Sequence, residues 1–174
     1  MRACHAAIVP KSTYLVLERT KFPALKNSDA TADRALKSSE TVGGHVRALI
    51  IDDSAVMRKV IERALRQSGV EFSEVVQAAN GEEALDLLRQ DAASEVKIGL
   101  IMSDINMPVM DGLQFLEARR DQNLAAGVPV VMITTEGSEP FVLRAIAAGA
   151  QGYICKPFTA DQVKARVLPL LKVA

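Results

Sequence analysis

The sequence lacks a net charge: its 21 Lys and Arg offset its 21 Asp and Glu. Charge therefore gives no support to a nucleic-acid or membrane role. Cysteine is scarce. Cys4 and Cys155 make no disulfide framework and show no metal-ligand spacing. Cys155 lies in an apolar run and reads as a small core residue. No apolar stretch is long enough to span a bilayer, so a reducing, cytoplasmic setting is expected. No glycine-rich turn follows the first apolar run. Two acids stand there instead and would repel a pyrophosphate, which disfavours a nicotinamide site. What is present is a chain of 174 residues, 49% hydrophobic and 24% charged. That suits one globular domain with a short extension.

The extension is residues 1–45. It holds seven Lys/Arg and four Asp/Glu, for +3, against −3 over residues 46–174. It is rich in Ser, Thr, Ala and Lys, ends in Gly43-Gly44, and has no sustained periodicity. Thr13-Tyr14-Leu15-Val16-Leu17 has strand character but no partner strand follows. The segment is too short for its own core and reads as a disordered arm. A targeting peptide is disfavoured by Glu18, Asp29, Asp33 and Glu40 and by the lack of an apolar core before a cleavage site. His5 falls in the arm and His45 at its junction; neither sits on a bundle helix that could carry a phosphohistidine.

From Val46 onward, strand and helix patterns alternate. The spacing predicts strands at Val46–Ile51, Glu74–Ala78, Ile98–Ser103, Pro129–Ile133 and Gln151–Cys155. Between them fall four helices, and a fifth ends the chain. Ser54 caps the first, which runs to Gln67, is stopped by Gly69, and turns Val56, Val60, Ile61, Ala64 and Leu65 inward. The second, Glu82–Arg89, buries Ala84, Leu85 and Leu88. The third opens at Asp111-Gly112 and runs to Arg120, with Leu113, Leu116 and Glu117 one turn apart. The fourth spans Ser138–Ala148 and closes at Gly149. Thr159 caps the fifth, which runs to Leu171, with Pro169 expected to kink or fray its last turn. Five β–α units imply an α/β fold: a doubly wound, five-stranded parallel sheet with helices on both faces. Functional loops then gather at the carboxyl ends of the strands.

Asp52-Asp53, Asp104, Thr134 and Lys156 all fall at such ends. Asp52-Asp53 alone would be a solvated turn. With Asp104 and Lys156 in register, three acids and a lysine make the parts of a magnesium-assisted phosphoryl site. Asp111 caps a helix and Gly112 permits a tight approach. Met102, Met107, Met110 and Met132 read as packing in and near the sheet.

In order and spacing, Asp52-Asp53, Asp104 with Asn106-Met107-Pro108 and Asp111-Gly112, Thr134, and Gly152-Tyr153 with Lys156-Pro157-Phe158 resemble the receiver domain of two-component response regulators. The likeness runs from Val46 to about Leu171 and is closest to the stand-alone chemotaxis type. It implies a flavodoxin-like fold and an Asp104 that accepts a phosphoryl group from a sensor histidine kinase. It further implies a Mg²⁺ ion held by Asp53, Asp104 and the Asn106 backbone carbonyl, with Asp52 acting through water. Lys156 would pair with Asp104 or the phosphoryl group. Thr134 is similar to the family's switch hydroxyl and Tyr153 to its switch aromatic, and the Lys156-Pro157 bond would be cis. Asn106 and Glu136 occupy the positions that tune phosphoryl lifetime, and resemble those of fast-decaying regulators.

The resemblance implies output through a separate protein, because the chain after the fifth helix and the 45-residue arm leave no room for a DNA-binding or enzymatic domain. A flagellar motor switch is the leading partner. It would dock on a surface offering Phe141, Arg144, Tyr153, Gln162, Lys164 and Arg166. The competing reading is a phosphorelay intermediate or phosphate sink that exchanges phosphoryl groups with a histidine phosphotransfer protein. An aspartate-nucleophile phosphatase is disfavoured: its second acid would stand where Asn106 does, and Asp52-Asp53 lie on another strand. Beyond its own phosphorylation and dephosphorylation, no enzymatic turnover is implied.

Overall fold

The computed structural model describes residues 46–135 and 139–171. The arm with His5 and His45, together with Glu136 and Ser138, lies outside the described residues. The elements alternate as β1 (Val46–Ile51), α1 (Ala55–Gln67), β2 (Phe72–Ala78), α2 (Gly81–Asp91), β3 (Ile98–Asp104), α3 (Gly112–Asp121), β4 (Val130–Thr134), α4 (Glu139–Ala147), β5 (Gly152–Cys155) and α5 (Ala160–Leu171). All strand pairings are parallel, in the order β2-β1-β3-β4-β5. β1, β3 and β4 are covered on both faces, so apart from Arg47 near the start of β1 and the polar ends they read as near-continuous apolar runs rather than alternating ones.

Side chains alternate between two cores. Ala48, Ile50, Leu100, Met102, Val131, Ile133 and Ile154 pack with Ile61, Leu65, Val163 and Val167 of α1 and α5. Leu49, Ile51, Ile101, Val130 and Met132 pack with Leu85, Leu88, Leu113, Phe115, Leu116 and Ala145 of α2, α3 and α4. The strand order reverses between β1 and β3, and the carboxyl ends of these two neighbours open a crevice.

Local signals set the helix starts. The Ser54 side chain accepts from Met57 N, and Asp111 makes a reciprocal capping box with Gln114. The α5 start is built alike: Thr159 N donates to the Gln162 side chain, and Gln162 N to the Thr159 hydroxyl.

Four expectations need correction. Val56 and Val60 are 72% and 45% exposed. Met57 takes the inward place on α1, and the valines sit one residue off the buried stripe of Ile61, Ala64 and Leu65. β2 begins two residues early, because Phe72 is buried against Ala64 and Leu65. Cys155 is half-buried, since β5 is an edge strand. Helix α5 runs through Pro169 to Leu171, with Leu168, Leu170 and Leu171 packed on the core.

Candidate functional site

Asp52 follows the last residue of β1, and Asp104 ends β3. Because the two strands are hydrogen-bonded neighbours, their carboxyl ends lie side by side. Asp52 and Asp104 are 1% and 7% exposed, whereas Asp53 turns outward. Oxygens of Asp52, Asp53 and Asp104 all lie within 4.8 Å of one another. Such crowding of like charges calls for a cation, and an all-oxygen donor set suits a hard divalent ion.

One cation is built in. Lys156 Nζ reaches Asp52 Oδ2 and Asp104 Oδ2, at 2.8 Å each. Burial, the largest single influence on Lys156, pulls its pKa down. Its hydrogen bonds to Asp104 and Asp52 and the charges of both acids together outweigh burial, and the net shift is upward. The lysine is charged throughout the neutral range. Its backbone N donates to Thr134 O at 2.7 Å, and the Lys156-Pro157 bond is cis.

The other oxygens of Asp104 and Asp52 are held by backbone. Ile105 N donates to Asp104 Oδ1 at 2.8 Å, and Ser54 N to Asp52 Oδ1 at 2.9 Å. Gly112 N donates to Ile105 O at 2.8 Å, and a Cβ on Gly112 would lie 2.1 Å from Asp104 O. Glycine is obligatory there, because any side chain would push the acid off its seat.

Thr134 is fully buried at the end of β4, beside Cys155 in the ladder. Tyr153 lies half-buried two residues before Cys155, and its hydroxyl is 2.6 Å from the thiol sulfur. Asn106 is exposed just past Asp104. The fold thus brings Asp52, Asp53, Asp104 and Lys156 together, with Thr134 one strand away.

Sequence reasoning missed Arg58. From α1, its Nη1 donates to Asp52 O at 2.7 Å and its Nε to Gln77 Oε1 at 3.1 Å, tying the Asp52-Asp53 turn to β2. It also missed Val109, at φ +69° in the loop after Asp104. Met110 N donates to Pro108 O at 2.8 Å, which makes this a γ-turn of positive φ, a rare and strained form for a β-branched residue.

Residues 48–168 match the family model for the response regulator receiver domain. The chain is 38% identical to chemotaxis protein CheY1 of Helicobacter pylori over 122 residues, covering 70% of this chain and 94% of the relative. It is 36% identical to the CheY homologue of Campylobacter jejuni over 126 residues, 72% of this chain and 92% of the relative. Among solved structures, CheY4 of Vibrio cholerae superposes with a TM-score of 0.60 at 33% identity, over 75% of this chain and all of the other. CheY in the CheX-CheY-BeF3-Mg complex of Borrelia burgdorferi gives 0.62 at 28% identity, over 72% and 88%. Sheet order, acid cluster and relatives agree: the chain belongs to the response regulator receiver family, with chemotaxis regulators of the CheY type among its relatives.

Proposed function

We propose that this domain is a phosphorylation switch in which Asp104 accepts a phosphoryl group from the phosphohistidine of a sensor kinase. The observation that carries this reading is the seating of Asp104: beside two further acids, with Lys156 bonded to it and to Asp52.

An Asp104 oxygen attacks phosphorus, the P–N bond breaks, and its electron pair leaves with the imidazole. Asp53, Asp104 and the Asn106 carbonyl would hold Mg²⁺, with Asp52 joined through water, and the ion would offset charge on the phosphoryl oxygens. Lys156 keeps the crowded acids paired at rest and supplies a cation to the product phosphoryl group. Ile105 N and the Gly112 approach fix the orientation of Asp104, so the attacking group needs little reordering.

Thr134 and Tyr153 then carry the state outward: the Thr134 hydroxyl bonds a phosphoryl oxygen and Tyr153 changes its seat. The output is binding of a separate protein on the surface of α4, β5 and α5, where Arg144, Gln162, Lys164 and Arg166 are exposed. A flagellar motor switch is the leading partner, given the chemotaxis relatives. Exposed Asn106 near the site supports rapid hydrolysis of the phosphoryl group.

Labelling with radioactive acetyl phosphate and Mg²⁺ tests the acceptor: the wild-type chain should label and Asp104→Asn should not. Equal labelling of the two would assign the chemistry elsewhere. The exposed valines Val56, Val60 and Val109, beside the Asp53 and Asp104 turns, favour a second use. They offer an apolar seat for a phosphotransfer helix, so a relay or sink uses the same chemistry with a different consequence. A pull-down from native lysate with the Mg²⁺–beryllofluoride form separates the two. Capture of a motor-switch protein by that form alone supports output; capture of kinases and phosphotransfer proteins alone supports the relay.

A further inference from the structure

Tyr153 and Cys155 project from the same face of β5, two residues apart, while Ile154 between them enters the opposite core. Across the ladder, Met132 is opposite Tyr153 and Thr134 is opposite Cys155. Cys155 therefore neighbours both residues that the switch reading uses, Thr134 across the ladder and Tyr153 along the strand. It is in hydrogen-bond contact with the Tyr153 hydroxyl at 2.6 Å. For the hydroxyl to reach that thiol, the ring must lie along the strand, with its tip toward Thr134 and the acid cluster. A ring turned out over α5 or into solvent could not make this contact.

We propose that Cys155 is a positioning residue for Tyr153: its thiol holds the phenol tip at the end of β5 in the resting chain and so sets how readily the aromatic leaves on activation. The inference rests on the switch reading of Tyr153 and adds what restrains the ring. A thiol suits the task. It is a weak hydrogen-bond partner, so the hold resists wandering of the ring yet yields to a competing arrangement at Thr134. An alanine here would release the tip, whereas a serine would keep a polar anchor.

The chain offers a clean readout, since it has two tyrosines and no tryptophan. Ring-labelled tyrosine in the full-length protein gives Tyr14 and Tyr153 signals, assigned with Tyr14→Phe. Spectra are taken with and without Mg²⁺ and beryllofluoride. The resting Tyr153 signal should be alike in wild type and Cys155→Ser. In Cys155→Ala it should move toward the activated position, with the activated population up about threefold, the scale of one weak hydrogen bond. An alanine variant whose resting signal matches wild type overturns the proposal and leaves the switch reading standing. A wild-type Tyr153 signal that ignores beryllofluoride overturns both.

A second measurement avoids any variant at the contact. In a Cys4→Ser background, iodoacetamide should alkylate Cys155 about threefold faster once beryllofluoride and Mg²⁺ draw the ring away. An unchanged rate counts against the thiol as the restraint.

Discussion

The two edges of the sheet both carry charge, and they treat it differently. At the amino edge, Arg47 on β1 meets Asp91 at the end of α2: Arg47 Nη1 reaches Asp91 Oδ1 at 2.7 Å and Val96 O at 3.2 Å. Asp91 Oδ2 accepts from Ile98 N at 3.0 Å, and Arg47 Nε takes Glu74 at 2.6 Å. Arg47 and Asp91 there are each paired, and both Asp91 oxygens have a donor. At the carboxyl edge, three carboxylates crowd together, and one lysine pairs with two of them, Asp52 and Asp104. The first arrangement is complete and holds strands to helix. The second is short of positive charge, and that deficit suits a bound cation. The paired Arg47 and Asp91 hold structure, and the under-neutralised acids at the other edge are suited to chemistry.

Asp104→Asn presses hardest on this contrast. It should abolish labelling by acetyl phosphate, yet leave the urea midpoint unchanged or raised, because an amide of the same shape removes one repelling charge from the cluster. A lowered midpoint would show that Asp104 serves the fold.

Asp91→Ala should do the reverse. It removes the more buried of the two carboxylates on Arg47, leaving only Glu74, and the acceptor of Ile98 N, so it should cost about 2 kcal/mol in urea unfolding. Labelling of the folded fraction should be unchanged. Full stability in Asp91→Ala would mean that solvent already screens the pair.

How much of this contrast the sequence displays follows from distance along the chain. β1, β3 and β4 are legible because strands buried on both faces are continuous apolar runs that end in the functional residues. Asp52, Asp53, Asp104 and Thr134 are legible because they follow or end such runs, and Lys156 because it follows the short apolar edge strand β5. The Asp111 cap and the Gly112 approach are local, and they too are legible. Arg47 and Asp91 stand 44 residues apart, and no local pattern announces their pairing. The Arg58 bonds to the Asp52-Asp53 turn and the Tyr153–Cys155 contact depend on rotamers that periodicity does not carry. Val56 and Val60 misled because exposed and buried apolar residues are written in the same letters, and only Met57 taking the inward place separates them.

Arg119 shows the same limit at the amino edge. Its Nη2 staples the loop before β4, reaching Ala125 O at 2.6 Å and Val128 O at 2.8 Å, while its buried Nε has no partner among the described residues. Desolvation holds its pKa below the ordinary arginine value. Arg119→Met keeps the aliphatic stem and removes the orphan donor together with both loop bonds. The two losses should outweigh the relief, for a net cost of about 1 to 2 kcal/mol with no effect on labelling. A more stable methionine variant would mean the stapling bonds contribute less than the orphaned donor costs.

Val109 gives the smallest effect and the sharpest test of where strain is kept. It is 76% exposed, so its side chain has little packing to lose. Its backbone at φ +69° is held through the next residue: Gly81 N bonds Met110 O at 3.1 Å, and a Cβ on Gly81 would lie 2.7 Å from Met110 Cγ. That close seat of the loop on α2 outweighs the local preference of a β-branched residue. Val109→Gly relieves the strain but loosens the unfolded chain, so the net gain in stability should be about 0.5 to 1 kcal/mol. Val109→Asn should give a similar gain with less unfolded entropy. If either variant also changes the labelling rate of Asp104, the strain is coupled to the acid cluster five residues upstream. If stability rises alone, the strain is only the consequence of seating the loop on α2.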